Sequence, residues 1–274
     1  MNMSLIIDTS AACMRCGLCA HACPYGVLGT DDAGAPLVLS ESCIRCGHCT
    51  AVCPTGALTH SLVPICAQIP VDPLLLPDAD HAEHLLLARR SIREFEPESV
   101  PVDTLLRLLS AARYAPTGVN LQGVQFHVIS KKDILSKLSA AALVWAQEEL
   151  RQQTPFSGII APILKHQQAK GGDAILHDAP CLILSLLPLP IYPGILENGR
   201  FPLVYAQIFA PALGLGSCWA GILEQCIRCG YPPVLELLAL PEGTGFAGAM
   251  MLGFPRYTHS RIPERNPLCV TWRR

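Results

Sequence analysis

Charge is scarce in this sequence. Asp, Glu, Lys and Arg make up 15% of its 274 residues, against a usual share of about 25%. What charge there is nearly cancels, to a formal −2 at pH 7. No basic block exceeds the pair Arg89-Arg90 and the tail Arg273-Arg274. Neutralising a phosphate backbone takes clustered cations, so nucleic acid is excluded as a main partner. Half the residues are hydrophobic and the mean hydropathy is +0.35, which excludes disorder for most of the chain. Yet an uninterrupted apolar run of spanning length is lacking too. Residues 181–187 are too few to cross about 30 Å of hydrocarbon as a helix. Residues 201–223 are enough, but Pro202, Pro211, Gly214 and Gly216 interrupt them. The first twelve residues lack both a basic start and a long apolar stretch, so no secretory signal is expected. These absences predict a cytoplasmic protein with no membrane span, of one or two domains.

Cysteine, by contrast, is abundant, with 14 residues. Without an export signal, that abundance favours metal or catalytic use over a disulfide framework. Eight of the fourteen form one pattern used twice: Cys13, Cys16, Cys19, Cys23 before Pro24, and Cys43, Cys46, Cys49, Cys53 before Pro54. The flanking Arg, Gly and Leu positions repeat as well, so the segment is an internal duplication. Three thiolates at two-residue gaps can wrap three corners of an iron–sulfur cube, and the fourth cysteine of such a run ligates the other cluster. The expected ligand sets are therefore Cys13, Cys16, Cys19 and Cys53 for one [4Fe-4S] cluster, and Cys43, Cys46, Cys49 and Cys23 for the second. Structural zinc normally uses two separated ligand pairs, which this doubled run does not offer. The segment resembles the bacterial two-cluster ferredoxin family over roughly residues 8–60. A strand before Cys13 and another at Leu37-Val38-Leu39 are expected to pair around the clusters, with the Asp31–Gly34 stretch as a turn.

Pro64, Pro70, Pro73 and Pro77 punctuate residues 61–80, which read as an extended linker lying on a surface. Beyond it, helix and strand signals mix. Helices are expected at 81–89, 101–113, 132–152 and 202–213, and strands at 125–130, 181–187 and 248–254. The expected fold class is α+β: a small ferredoxin-like two-cluster domain (1–60), the linker (61–80), and an α+β sandwich with a central sheet flanked by helices (81–274).

Four short constellations follow one another in this second domain. The first is Arg89-Arg90-Ser91-Ile92-Arg93-Glu94-Phe95, where cations and a hydroxyl on a short turn can hold a phosphate through charge-assisted bonds. The second is Ala115-Pro116-Thr117-Gly118-Val119-Asn120-Leu121-Gln122, whose polar side chains suit the edge or ribityl chain of a planar cofactor. The third is Gly214-Leu215-Gly216-Ser217-Cys218-Trp219-Ala220-Gly221. The fourth is Gly253-Phe254-Pro255 followed by His259-Ser260-Arg261. In this order and spacing they resemble the FMN-dependent nitroreductase superfamily.

That resemblance implies FMN bound by Arg89, Arg90, Ser91, Arg93, Pro116, Thr117, Gly118, Asn120, Gln122, Ala220, Gly221, His259 and Arg261. Ala220 and Gly221 match positions whose backbone N–H groups approach the flavin ring, where a donor stabilises the reduced form. His259 stands where a more basic residue is usual. The resemblance also implies a homodimer with its sites at the interface, and NAD(P)H as one possible donor. No protein side chain is singled out as catalytic, since the flavin carries the chemistry. Trp145, Phe156, Lys165 and His166 are candidates for lining a substrate pocket.

Two motifs are decoys. Gly243-Thr244-Gly245-Phe246-Ala247-Gly248 satisfies a dinucleotide-binding expression but enters an apolar strand instead of opening a helix. Cys226 and Cys229 form a lone C-x-x-C with no second pair nearby and read as plain thiols, and Cys181, Cys218 and Cys269 read as packing. The sequence thus predicts an iron–sulfur flavoprotein that passes electrons between two clusters and FMN. The expected external donor is ferredoxin, flavodoxin or NAD(P)H, and the acceptor a nitro compound, quinone or activated alkene. The alternative is an electron-transfer or redox-sensing protein whose FMN relays electrons to a protein partner. Reductive dehalogenation or flavin remodelling is demanded by no sequence feature.

Overall fold

The computed structural model describes residues 7–190 and 194–273. The chain folds as two compact units. The first runs up to Leu76 and also takes in Gly118–Leu121; the second comprises Pro77–Thr117 and the chain from Gln122 onward.

The first unit carries the duplication in its backbone. Its elements are β1 (Ile7–Thr9), α1 (Leu18–His21), β2 (Leu28–Thr30), β3 (Pro36–Val38), α2 (His48–Ala51) and β4 (Leu58–His60). β1 pairs antiparallel with β4, placing Ile7 opposite His60, and β2 pairs with β3. Arg15 and Arg45 share φ of 56° and 55°, and Gly17 and Gly47 share 72° and 73°. A Cβ is costly in that left-handed region, which is why glycine precedes each short helix. Val27, Leu28, Ala57 and Leu58 are buried behind the cysteine loops. The proline-rich segment lies on this unit at its start: Gln68 Nε2 donates to Thr50 Oγ1 at 2.7 Å and to the Val63 carbonyl at 2.9 Å.

The second unit contains α3 (Ala79–Ala88), α4 (Val102–Ala112), β5 (Gln125–Ile129), α5 (Lys132–Arg151), α6 (Ser157–Lys170), β6 (Cys181–Pro188), α7 (Leu196–Phe209), β7 (Gly216–Trp219), α8 (Gly221–Arg228), α9 (Pro232–Leu238) and β8 (Thr244–Gly253). The sheet order is β5-β6-β8-β7, with every neighbour antiparallel. Side chains alternate across it. Leu182, Leu184, Leu186, Ala249 and Met251 pack with α5, α6, α8 and α9, and Cys181, Ile183, Met250 and Leu252 pack with α4 and α7. The result is a helix–sheet–helix sandwich, the α+β architecture expected.

The decoy glycines fall in and beside β8, a strand, as its apolar sequence requires. The expected pairing of the strand before Cys13 with the one at Leu37-Val38-Leu39 does not form, since β1 takes β4 and β3 takes β2. β7 is not among the expected strands and forms because Gly216–Trp219 gains its ladder from β8. α6 is likewise absent from the expected helices. Trp145 is also a core residue, 5% exposed and packed 5.9 Å from the Phe156 ring. No helix among the described residues is long and apolar enough to cross a membrane.

Candidate functional site

Folding the first unit gathers its eight repeat cysteines into two cavities. Cys13, Cys16 and Cys19 line one together with Cys53 from the other repeat. Cys43, Cys46 and Cys49 line the second together with Cys23. Left-handed residues flank Cys16 and Cys46 in the two loops, Arg15 and Gly17 in one and Arg45 and Gly47 in the other. Burial opposes ionisation at Cys53, but the Thr55 hydroxyl and backbone N–H groups outweigh it and lower the thiol's pKa. Burial is likewise overcome at Cys23 by four backbone N–H groups. The deeper Cys49 is pushed up to about 11, first by burial. Among the described residues, no three His, Cys, Asp or Glu side chains converge as ligands of one metal ion do. The four-thiol rings, their N–H groups and the apolar floor fit a cluster.

The second unit joins three of the four constellations. Ile92 N donates to the Ser217 carbonyl at 3.0 Å, and Ser91 pairs with Ser217, so the arginine segment runs beside β7. Gly216 permits that approach: a Cβ there would stand 2.6 Å from Ile92 Cγ1. Further along, Glu96 N donates to the Phe254 carbonyl at 2.8 Å, and Phe95 pairs with Pro255. Burial raises the Cys218 thiol's pKa against the opposing influence of Arg93, Ser91 and Arg89.

A cavity of about 930 Å³ opens beside this junction. Arg93, Cys218, Trp219, Gly221 and Met251 border it on the sheet side, and Phe156, Ile159, Ile163, His166 and His177 border it elsewhere. Nothing lies within 4 Å of where a Gly221 Cβ would stand, which leaves room above the turn for a flat group. The cavity falls in the size range of cofactor sites. A basic segment, an open glycine turn and apolar walls fit FMN. His177 is half-buried, and burial, ahead of the opposing pull of Asp173, holds its pKa below the ordinary imidazole value.

Other candidates are placed differently. Ala220 N donates to the Ala249 carbonyl at 3.0 Å, so its N–H is engaged within the fold. Gly221 opens α8, where N–H groups lie outside the helix's own bonding. The 115–122 constellation is divided. Thr117 Oγ1 accepts from Gln122 N at 3.0 Å, whereas Asn120 groups with the first unit and donates to the Ile44 and Arg45 carbonyls at 2.8 and 3.0 Å. Pro116 and Gly118 are exposed on either side of Thr117, and His259 and Arg261 are exposed on the extended C-terminal segment. Of the pocket candidates, Phe156 and His166 line the cavity, Trp145 is core, and Lys165 is exposed. Cys226 is buried on α8 and Cys229, just past its end, is exposed; Cys269, read as packing, is exposed.

Sequence reasoning missed Glu224. It is buried at the first turn of α8, where Oε1 accepts from Ala249 N at 2.8 Å and Oε2 from Arg200 Nη2 at 3.0 Å. The available signal was an acidic residue inside an apolar helix face, four positions before Arg228.

A thiol-lined unit joined to an α+β sandwich with a basic, flavin-sized cavity defines a class of redox protein. Comparison places it further. Residues 86–254 match the Nitroreductase family and residues 12–58 a 4Fe-4S dicluster domain. The chain belongs to the Nitroreductase family. It is similar to iodotyrosine deiodinase of Danio rerio, 23% identical over 188 residues, and to nitroreductase NfnB of Mycolicibacterium smegmatis, 32% identical over 102 residues. These alignments cover 66% and 35% of this chain, and span only 61% and 42% of the relatives' lengths. A nitroreductase with bound FMN from Desulfitobacterium hafniense superposes with a TM-score of 0.56 at 20% identity, covering 69% of this chain and 97% of that one. A BluB-like flavoprotein from Clostridium difficile superposes at 0.53 and 20% identity, covering 68% and 94%. Both superpositions establish the sandwich fold of the second unit.

Proposed function

We propose that this protein is an FMN-dependent iron–sulfur oxidoreductase that reduces an electrophilic organic acceptor, a nitro compound, quinone or activated alkene. The observation that carries the reading is the arginine segment paired beside β7 at the edge of the large cavity. Cys13, Cys16, Cys19 and Cys53 hold one [4Fe-4S] cluster, and Cys43, Cys46, Cys49 and Cys23 the other. When bound, the clusters supply one-electron transfer and FMN supplies two-electron chemistry toward the acceptor.

The chain's own residues bind, orient and exclude water. Arg89, Arg90, Ser91 and Arg93 hold the phosphate with charge-assisted bonds. Gly221 presents its N–H to the ring. Trp219, Ile163 and Met251 keep the cavity apolar, and His177, neutral at pH 7, offers the acceptor a hydrogen-bonding group. The exposed Phe201, Val204 and Tyr205 share one face of α7, and covering them supports a homodimer. A cytoplasmic setting suits eight unpaired repeat thiols.

The test is anaerobic reconstitution followed by rapid-mixing reduction with NADH, NADPH or reduced ferredoxin, watched at flavin and cluster wavelengths. Bleaching of the flavin first identifies NAD(P)H as donor at the cavity; bleaching of the clusters first identifies the N-terminal unit as inlet. A protein that takes up clusters but no FMN refutes the reading. A pure relay to a protein partner is disfavoured by the room within the cavity, which such a relay does not need.

A further inference from the structure

The two cysteine cavities are built from one duplicated sequence, and His60 is one of the positions at which the copies differ. His60, at the end of β4, corresponds to Thr30 at the end of β2, thirty residues earlier. Thr30 is exposed, whereas His60 is 2% exposed and lines the second cavity. Its ring is fixed at both nitrogens. Leu62 N donates to Nδ1 at 3.1 Å, so Nδ1 is an acceptor and carries no proton. The neutral ring's proton is then on Nε2, which faces Cys43 Sγ at 3.5 Å. Arg45 N also points to that sulfur, at 3.4 Å.

We infer that His60 is a positioning residue that donates Nε2–H to the Cys43 thiolate and so raises the reduction potential of the second cluster alone. The proposal rests on the ligand reading given above. One-electron reduction adds one negative charge to the cluster and no proton, and part of that charge resides on the thiolate sulfurs. A donor aimed at a ligand sulfur stabilises the more negative state more than the less negative one, one of the protein's levers on such potentials. Burial of Cys49 at the same cavity works the other way. The inference therefore concerns the change at the second cluster when His60 is altered, not the rank of the two clusters. At the first cavity the Thr55 hydroxyl lies 3.7 Å from Cys53 Sγ, and it is untouched by changes at residue 60.

The experiment is a dye-mediated anaerobic titration of the full cluster-loaded chain with dithionite as reductant, read by electron paramagnetic resonance. His60→Leu is expected to make the second cluster about tenfold harder to reduce, about 59 mV for a one-electron couple, with the first cluster unmoved. His60→Gln keeps an N–H donor and is expected to recover most of the shift. Full cluster content with unmoved potentials in His60→Leu overturns the inference and leaves the ligand reading intact, as does equality of the Gln and Leu variants. Failure of the wild-type chain to take up any cluster overturns both. If His60→Leu cannot hold its second cluster, nitrogen-15 histidine labelling of the wild type decides. A nitrogen coupling to the reduced second cluster, lost in His60→Gln, supports the hydrogen bond, and its absence overturns it.

Discussion

Replacing Arg200 by Ala tests the buried carboxylate at the heart of the second unit. Arg200 Nη2 lies 3.0 Å from Glu224 Oε2, and its guanidinium sits 4.9 Å from the Trp219 ring centroid. A hydrogen bond to a charged group contributes about 1.5–3 kcal/mol, and an exposed cation–π contact about 0.5–1 kcal/mol. Their sum is about 2–4 kcal/mol; with the Arg200 side chain 41% exposed, solvent screening puts the loss near about 2 kcal/mol. The pH dependence is sharper. Burial already holds the Glu224 carboxyl above its usual range, with Arg200 and Arg228 opposing. A raised carboxyl binds its proton more readily in the folded state, so ionised Glu224 costs stability above its folded pKa. Removing Arg200 raises that pKa further. The deficit of Arg200→Ala is therefore largest at neutral pH and narrows as pH falls toward the ordinary carboxylate range. Trp145, Trp219 and Trp272, all three tryptophans of the chain, lie in the second unit, so urea unfolding followed by tryptophan fluorescence reports that unit. A deficit below about 0.5 kcal/mol, or one that widens toward acid, would refute the assignment.

Three further outcomes are expected. Cys53→Ala should lower the iron and sulfide content of the first unit, whereas Cys66→Ala, an exposed thiol, should leave that content unchanged. Gly216→Val should push Ile92 and the arginine segment off β7, lowering FMN retention after gel filtration at least several-fold; full retention would detach that segment from the phosphate. Because His177 has a folded pKa below its ordinary 6.5, the unfolded chain takes up its proton first as pH falls. The second unit should lose stability from about pH 6.5 downward, and His177→Asn, which tolerates the observed φ of 54°, should flatten that slope in acid unfolding curves.

Local chemistry was the legible part of the sequence. The thiol spacing is set within twenty residues, and the crossing of Cys23 and Cys53 follows from how such runs wrap a cube. The long periodic helices and the apolar strand β6 were legible for the same reason: pattern within one element decides them. What depended on distant partners was not. β7 has four residues, one of them glycine, and exists through its ladder with β8. Asn120 sits in an ordinary glycine turn, and the carbonyls it reaches are 76 and 75 residues away in sequence. Ala220 and Gly221 are adjacent and look equivalent, yet the Ala249 carbonyl takes one N–H and leaves the other. Trp145 shows the same limit, because a large ring on a helix reads alike whether it faces a core or a pocket.

The exchange of one cysteine between the repeats has a consequence for how the first unit is lost. Each copy supplies three thiols to its own cavity and the fourth to its sibling's, so a solitary copy would leave one ring short of a member and one member without a ring. Two solitary copies could complete each other, which makes the unit a fused version of a reciprocal pair. The short helix α2 holds Cys49 for one cavity and is followed at once by Cys53 for the other. Unravelling that single turn disturbs both rings together. Damage begun at either cavity is thereby shared, and iron should leave this unit as one cooperative event rather than in two independent halves.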